Sequence, residues 1–366
     1  MPRLRWARFR DNSSRHLIGV ARDLQSRLMD ELIHHHGHHG LRMGFEPYFS
    51  LLGRDGYRLT AIADLLGITK QACRPVVREL EQLGYLTGIA DPNDGRAKRM
   101  LLTKQGKLLM RDGQMVLTSI AANYLSLTDQ QTMDGFCAAL ARLAREYALP
   151  VRSIDPADHH NSDLLGSHLP RISAWLQNRL MSMTRAKGHP HLSMAFGQVL
   201  PMIGPNGSRV SDIARIQNVS KQAISATAHR LQTLGYIKRQ HGDDDRLGSR
   251  LVFTSAGQQL INDCVDAADT LDSELENRVG EEAMHHCRDA AALLYRNLKL
   301  EENLFSAPTH SIPKAHSPKQ LIAASGQHTS DSELQTIAQQ LRVTLGAQRS
   351  LDLANLLQNR NQCERA

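Results

Sequence analysis

Aromatic residues make up only 4% of this 366-residue chain, so its cores must be filled chiefly by Leu, Ile, Val, Ala and Met. Cysteine is also sparse: Cys73, Cys137, Cys264, Cys287 and Cys363 are odd in number, scattered and form no CxxC. That argues against a disulfide framework and suits a reducing compartment. No apolar run approaches the roughly 18 residues of a membrane span. The N-terminus, MPRLRWARFRDNSSRH, is basic but has no apolar stretch of the secretory kind. These absences predict a cytoplasmic protein that does not associate with membranes. HExxH, P-loop, GxSxG and GxGxxG patterns are lacking too, and nothing else in the sequence points to an enzyme or to a bound cofactor.

What the chain does have is length for two or three domains, 41% apolar residues, and a formal charge of +7 that favours a polyanionic partner. It also repeats itself. The stretch RLTAIADLLGITKQACRPVVRELEQLGYL from Arg58 returns as RVSDIARIQNVSKQAISATAHRLQTLGYI from Arg209, an offset of 151. Beyond it, Arg99, Thr103, Gly106 and Leu109 match Arg250, Thr254, Gly257 and Leu260. Upstream, LQSRLM from Leu24 resembles LQNRLM from Leu176. The expected organisation is a first unit over 15–148, a linker over 149–166, a second unit over 167–300, and a flexible Pro/Ser/His-rich tail over 301–366. Leu334, Ile337, Leu341 and Leu345 give that tail the spacing of one terminal helix.

Within each unit the local signals spell helix, short turn, capped helix. Thr60 and Ser211 are N-cap residue types before short apolar runs. Gly67 and Asn218, the residue types most at ease in the left-handed conformation, end those runs. Ile68 and Val219 are placed to plug the turn, and Thr69 and Ser220 to cap the next helix. Spacing puts Ala72, Val76, Leu80 and Leu83 on its inner face, with Ala223, Thr227, Leu231 and Leu234 as counterparts. The opposite face carries Lys70, Gln71, Arg74 and Arg78 in one copy, and Lys221, Gln222, Ser225 and His229 in the other. Such side chains can reach base edges and phosphates in a major groove. A hairpin with basic residues near its tip follows Leu-Gly-Tyr in both copies, suited to a phosphate backbone or minor groove. The windows 58–107 and 209–258 each net +4, so the rest of the chain nets −1.

These residues resemble the multiple-antibiotic-resistance regulator (MarR) family. The resemblance rests on the Ile-Ala helix, Thr/Ser-Lys-Gln-Ala, Leu-x-x-Leu-Gly-Tyr, a wing with Asp94-Gly95-Arg96 or Asp244-Asp245-Arg246, and Thr-x-x-Gly, all occurring twice in register. It implies a mainly helical fold with small β-hairpin wings, built as two tandem winged helix-turn-helix units with helical dimerisation-type segments at roughly 15–36, 104–148, 167–187 and 255–300. It further implies a bacterial, sequence-specific transcriptional regulator of double-stranded DNA. Arg96 and Arg246 would enter minor grooves, oriented by Asp94 and Asp244, while Arg99, Lys238, Arg239 and Arg250 contact phosphates. Small effector molecules often bind between the dimerisation helices of the family. Members are usually homodimers of one unit, so a chain holding two is expected to form an intramolecular pseudo-dimer, with further dimerisation left open. The alternative is a winged-helix interaction module that no longer reads DNA.

Three features depart from the family pattern. Pro75 falls inside the first reading helix, where it removes a hydrogen bond to Gln71 at a cost of about 3 kcal/mol. Thr87-Gly88 stands where the second copy has Lys238-Arg239, and Arg246 precedes Thr254 by eight residues where Arg96 precedes Thr103 by seven, so the second wing tip is differently shaped. The two half-sites are therefore expected to differ. The run His34-His35-His36-Gly37-His38-His39 invites a metal reading, but the second copy has only His189 and His191 there, and the run is read as a solvated helix end. Cys73 is read as a small core residue facing inward like Ile224, and Glu282-Ala283-Met284-His285 as helix surface.

Overall fold

The chain opens with α1 (Arg3–Arg10) and α2 (Ser13–His34), then a 3-10 turn at Met43–Phe45 and α3 (Glu46–Leu51). A helix-turn-helix and hairpin follow: β1 (Tyr57–Arg58), α4 (Leu59–Leu66), α5 (Lys70–Gln82), β2 (Leu86–Asp91) and β3 (Asp94–Leu102). Two long helices, α6 (Lys104–Ser126) and α7 (Gln130–Glu146), complete the first half. The second half runs α8 (Asn161–Ala186), α9 (Phe196–Ile203), β4 (Ser208–Arg209), α10 (Val210–Ile216), α11 (Lys221–Thr233), β5 (Ile237–Gln240), β6 (Arg250–Phe253), α12 (Ser255–Val279) and α13 (Glu281–Asn297). From α3 onward the first half has the same element order as the second from α9. Both sheets are three-stranded and antiparallel, ordered β1-β3-β2 and β4-β6-β5. The computed structural model describes residues 3–52, 56–66, 68–91, 94–149, 160–216, 219–240 and 249–301, all of them within one compact unit. The protein is mainly helical with small antiparallel sheets, and no described helix is long and apolar enough to cross a membrane.

Two of the expected boundaries move. α8 begins at Asn161, inside the stretch read as linker. The Asp163 carboxylate accepts from the His160 backbone N–H at 3.1 Å, and Leu164 and Leu165 are buried, so the helix has both a start signal and an apolar face there. α1, which the sequence reading did not assign, precedes the expected first unit. Residues 150–159 and 302–366, including the candidate terminal helix, lie outside the described residues, as do Gly67 and Asn218.

The long helices of both halves share a core. α7 buries Met133, Phe136, Leu140 and Leu143, and α13 buries Met284, Cys287, Ala291 and Leu294, the positions 151 residues on. The two stripes pack against each other in one cluster. The cross-half contacts are reciprocal: α2 packs on α13, and its counterpart α8 packs on α7. Gly135 lets α7 and α13 meet closely, because a Cβ there would stand 3.0 Å from His286 Nδ1. His286 is itself the residue 151 positions beyond Gly135, so this position touches its own counterpart. A separate cluster of Leu192, Phe196, Leu200, Ile213, Ile224, Leu231 and Leu260 fills the second helix-turn-helix.

Candidate nucleic-acid interface

The ends of α5 and α11 follow from local chemistry. Thr69 Oγ1 accepts from the Ala72 N–H at 3.1 Å and Ser220 Oγ from the Ala223 N–H at 3.2 Å, so both expected caps form. At the far ends Gly84 and Gly235 take φ of 79° and 76°. The Tyr85 N–H then reaches the Leu80 carbonyl, and Gly84 that of Glu81; Tyr236 and Gly235 repeat this on Leu231 and Gln232. This paired arrangement satisfies the last carbonyls and needs a residue free to adopt positive φ. α5 runs as one helix through Pro75, whose missing N–H leaves the Gln71 carbonyl without its usual donor.

Three local expectations are corrected. Thr60 and Ser211 lie within α4 and α10 rather than ahead of them, because the helices start directly at the end of β1 and β4. Ile68 and Val219 do not plug the turn. They are 37% and 43% exposed, and it is their backbone N–H groups, bonded to Ala63 and Ala214, that close it. The buried faces are also rotated by one residue: Cys73, Val77 and Leu80 face the core of α5, and Ile224, Ala228 and Leu231 that of α11. Ala72 and Ala223, expected inside, are exposed. Cys73 is fully buried beside Tyr48, and burial pushes its thiol pKa up, which disfavours a reactive thiolate.

The rotation does not bury the side chains expected to face DNA. Thr69, Lys70, Gln71, Arg74 and Arg78 are exposed on α5. Among the described residues the side chains of Lys70, Gln71, Arg74 and Arg78 have no hydrogen-bond or ion-pair partner. The neighbouring carboxylate of Glu79 is taken by Arg42. On α11, Ser220, Lys221, Gln222 and His229 are exposed and Ser225 is half-buried.

In the first hairpin the organising residue is Asp91, which the sequence reading missed. It is buried at 5% exposure, accepts from Arg58 Nε at 2.7 Å, and lies 3.8 Å from Arg99 Nε. Arg99 also donates to the Gly56 carbonyl, and its counterpart Arg250 donates to that of Asn206, so both tie the hairpin to the loop before the helix-turn-helix. Asp94 lies 3.7 Å from Arg58. The Arg96 side chain, Asp244 and Arg246 lie outside the described residues. Lys238 and Arg239 are exposed on β5, and Arg239 reaches Gln232 and Ser249.

Behind α5 and α11 a buried His–Asp pair ties each to a long helix. His189 Nε2 lies 2.9 Å from Asp263 on α12, and its Nδ1 lies 2.8 Å from the Tyr236 hydroxyl. The carboxylate can only accept, so Nε2 donates to it. In the first half, His38 Nε2 lies 2.9 Å from Asp112 on α6, and Tyr85 donates to the His39 carbonyl. Burial raises the Asp112 carboxyl pKa, but the His38 hydrogen bond and the nearby His36 and Arg111 outweigh it, and the net shift is downward. Each member recurs 151 residues on, which was the available signal. The histidine run is therefore only partly a solvated helix end: His34, His35 and His39 are exposed, while His38 is buried. No three metal-ligating side chains come together among the described residues.

A cavity of about 350 Å³ lies between α2, the segment from Leu41 to Phe49, α6 and the start of α8. Its walls are apolar, with Leu28, Met29, Leu32, Phe45, Leu109 and Leu117 among them. Its polar rim is already paired: Arg42 with Glu79, Glu46 with Arg171 at 3.3 Å, and Gln114 with Asp163 at 2.6 Å.

Comparison with known proteins bears on the second of these helix-turn-helix segments. Residues 197–246 match the MarR family. The matched stretch contains α10, α11 and β5. Among solved structures, the chain is similar to the transcriptional regulator Tm0710 from Thermotoga maritima, with 19% identity and a TM-score of 0.27, over 36% of this chain and 92% of that one. No curated protein matches.

Proposed function

We propose that the chain is a sequence-specific DNA-binding transcriptional regulator, with two MarR-like units acting as an intramolecular pseudo-dimer on two half-sites. The observation that carries the reading is the exposed face of α5, where Lys70, Arg74 and Arg78 stand without a carboxylate partner among the described residues. Unpaired cations at helical spacing suit a polyanion and serve no purpose in the fold. The family match over α10 and α11 supports the same role for the second unit. The pseudo-dimer is supported by the reciprocal packing of α2 on α13 and α8 on α7, and by the contact of Gly135 with its own counterpart; an isologous interface requires both.

In this reading Lys70, Gln71, Arg74 and Arg78, with Lys221, Gln222, Ser225 and His229, enter major grooves. Arg96 and Arg246 anchor the wings, and Lys238 contributes a phosphate contact on the second side. Arg99 and Arg250 brace the hairpins as well as facing the backbone. The apolar cavity, its charges already paired, fits an uncharged and largely apolar effector. The protein acts without catalysis in the cytoplasm, where the unbridged Cys73, Cys137, Cys264 and Cys287 are at home.

The test is a gel shift with the DNA flanking the protein's own gene, repeated over a salt series. Retention of a specific band, with affinity falling steeply as salt rises, is the expected outcome. Absence of any shift at low salt would leave the winged helices as protein-interaction modules.

A further inference from the structure

In the second unit, α1 packs where residues corresponding to the first-unit cavity lining are found. The cavity-lining residues Phe45, Leu109 and Gly113 correspond to Phe196, Leu260 and Cys264. In the second unit Phe9 of α1 packs against the cluster that contains Phe196 and Leu260, and Cys264 packs there too. Trp6, only 7% exposed, sits 5.6 Å from Phe9 and 5.8 Å from Phe253 between ring centroids.

α1 has no reason to be a helix by itself. It is eight residues long, well short of the roughly 12–15 needed for an isolated helix to be even marginal in water. Its arginines bind it along α12: Arg5 to Asp266 at 2.6 Å, and Arg8 to Asp269 at 2.8 Å and Asp272 at 3.3 Å. Arg10 pairs with Glu301. Asn12 fastens its end, donating to the carbonyls of Arg8 and Phe9 while capping α2.

We infer that α1 is a tethered occupant of the second unit's groove, so that only the first-unit cavity is open to an effector. The inference rests on the reading of that cavity as an effector site. The chain would then sense one molecule through one side of its pseudo-dimer, the other side being held by Trp6 and Phe9. Exposed ion pairs contribute little individually, so the apolar side chains are the main hold and the arginines set the position of the helix.

The test counts molecules of the uncharged fluorophore N-phenyl-1-naphthylamine bound per full-length chain. The double variant Trp6→Ala/Phe9→Ala is expected to bind one more than the wild type. Adding Gly113→Trp, which projects into the first cavity from a position with open space beside it, should remove the first site and leave the new one. A double variant with native far-UV helix content and an unchanged count would overturn the inference. So would loss of the extra site on adding Gly113→Trp. If the double variant does not fold, the single variant Phe9→Ala, which shortens a partly buried side chain, takes its place; a gain of one probe supports the inference and an unchanged count rejects it. Failure of DNA binding would defeat the regulator reading but leave the probe count as it stands.

Discussion

Replacing Arg74 and Arg78 together by alanine should weaken binding to every duplex by about 10²-fold or more and flatten its salt dependence. Removing a side chain that reaches a base edge or a phosphate costs about 1–3 kcal/mol, and each tenfold in affinity is about 1.4 kcal/mol. For every phosphate that is no longer neutralised, the slope of log affinity against log salt should fall by about 1. Both side chains are exposed and unpaired among the described residues, so the double variant should keep its thermal stability. Ser225 occupies the position matching Arg74 and carries no charge, so Ser225→Ala should alter sequence preference and leave the salt slope alone. On that side the slope should respond to Lys238→Ala. Fluorescence anisotropy across a salt series measures both quantities. Equal salt effects from the matched positions of the two units would contradict a lopsided reading surface.

The largest effect on stability should come from Gly257→Ala, closely followed by Gly106→Ala. Both glycines sit in the first turn of a long helix, against the tyrosine that follows the reading helix. A Cβ would lie 1.9 Å from the Tyr236 carbonyl oxygen at Gly257 and 2.2 Å from that of Tyr85 at Gly106. The capping threonines pin the same place: Thr103 and Thr254 accept from these glycines' N–H groups and donate to the carbonyls of Gly84 and Gly235. With backbone facing backbone, no side chain can swing aside. Each substitution should cost about 3 kcal/mol or more, at the upper end of overpacking penalties. Gly113→Ala supplies the control in the same helix as Gly106, since nothing stands within 4 Å of a Cβ there; it should stabilise by up to about 1 kcal/mol through helix propensity. Urea titrations of the three variants would show whether the Thr-x-x-Gly motif is a packing requirement. Equal stability of Gly257→Ala and Gly113→Ala would show that it is not.

Those two glycines also mark how far the sequence could be read. Motifs governed by a few neighbouring residues were legible: the Thr69 and Ser220 caps, the Leu-Gly-Tyr helix ends and the hairpins. The inner faces of α5 and α11 were misplaced by one residue because Ala72 and Ala223 are apolar, identical and yet exposed, whereas Cys73, read as facing inward like Ile224, is buried as that reading expects. Ile68 and Val219 misled for the same reason, since a hydrophobic type need not be an interior one. The links of His38 to Asp112 and His189 to Asp263 span 74 residues, beyond any local pattern, although the 151-residue offset carried them. α1 was illegible for a different reason: Trp6 and Phe9 pack against the second helix-turn-helix and its arginines pair with α12, partners far along the chain.

The central claim is that one chain supplies both halves of its own DNA-binding dimer. Sedimentation of the protein with a duplex containing one footprinted operator measures it directly. One chain per duplex, with protection over two half-sites about one helical turn apart, is the predicted result. Two chains on that operator, each protecting one half-site, would contradict it.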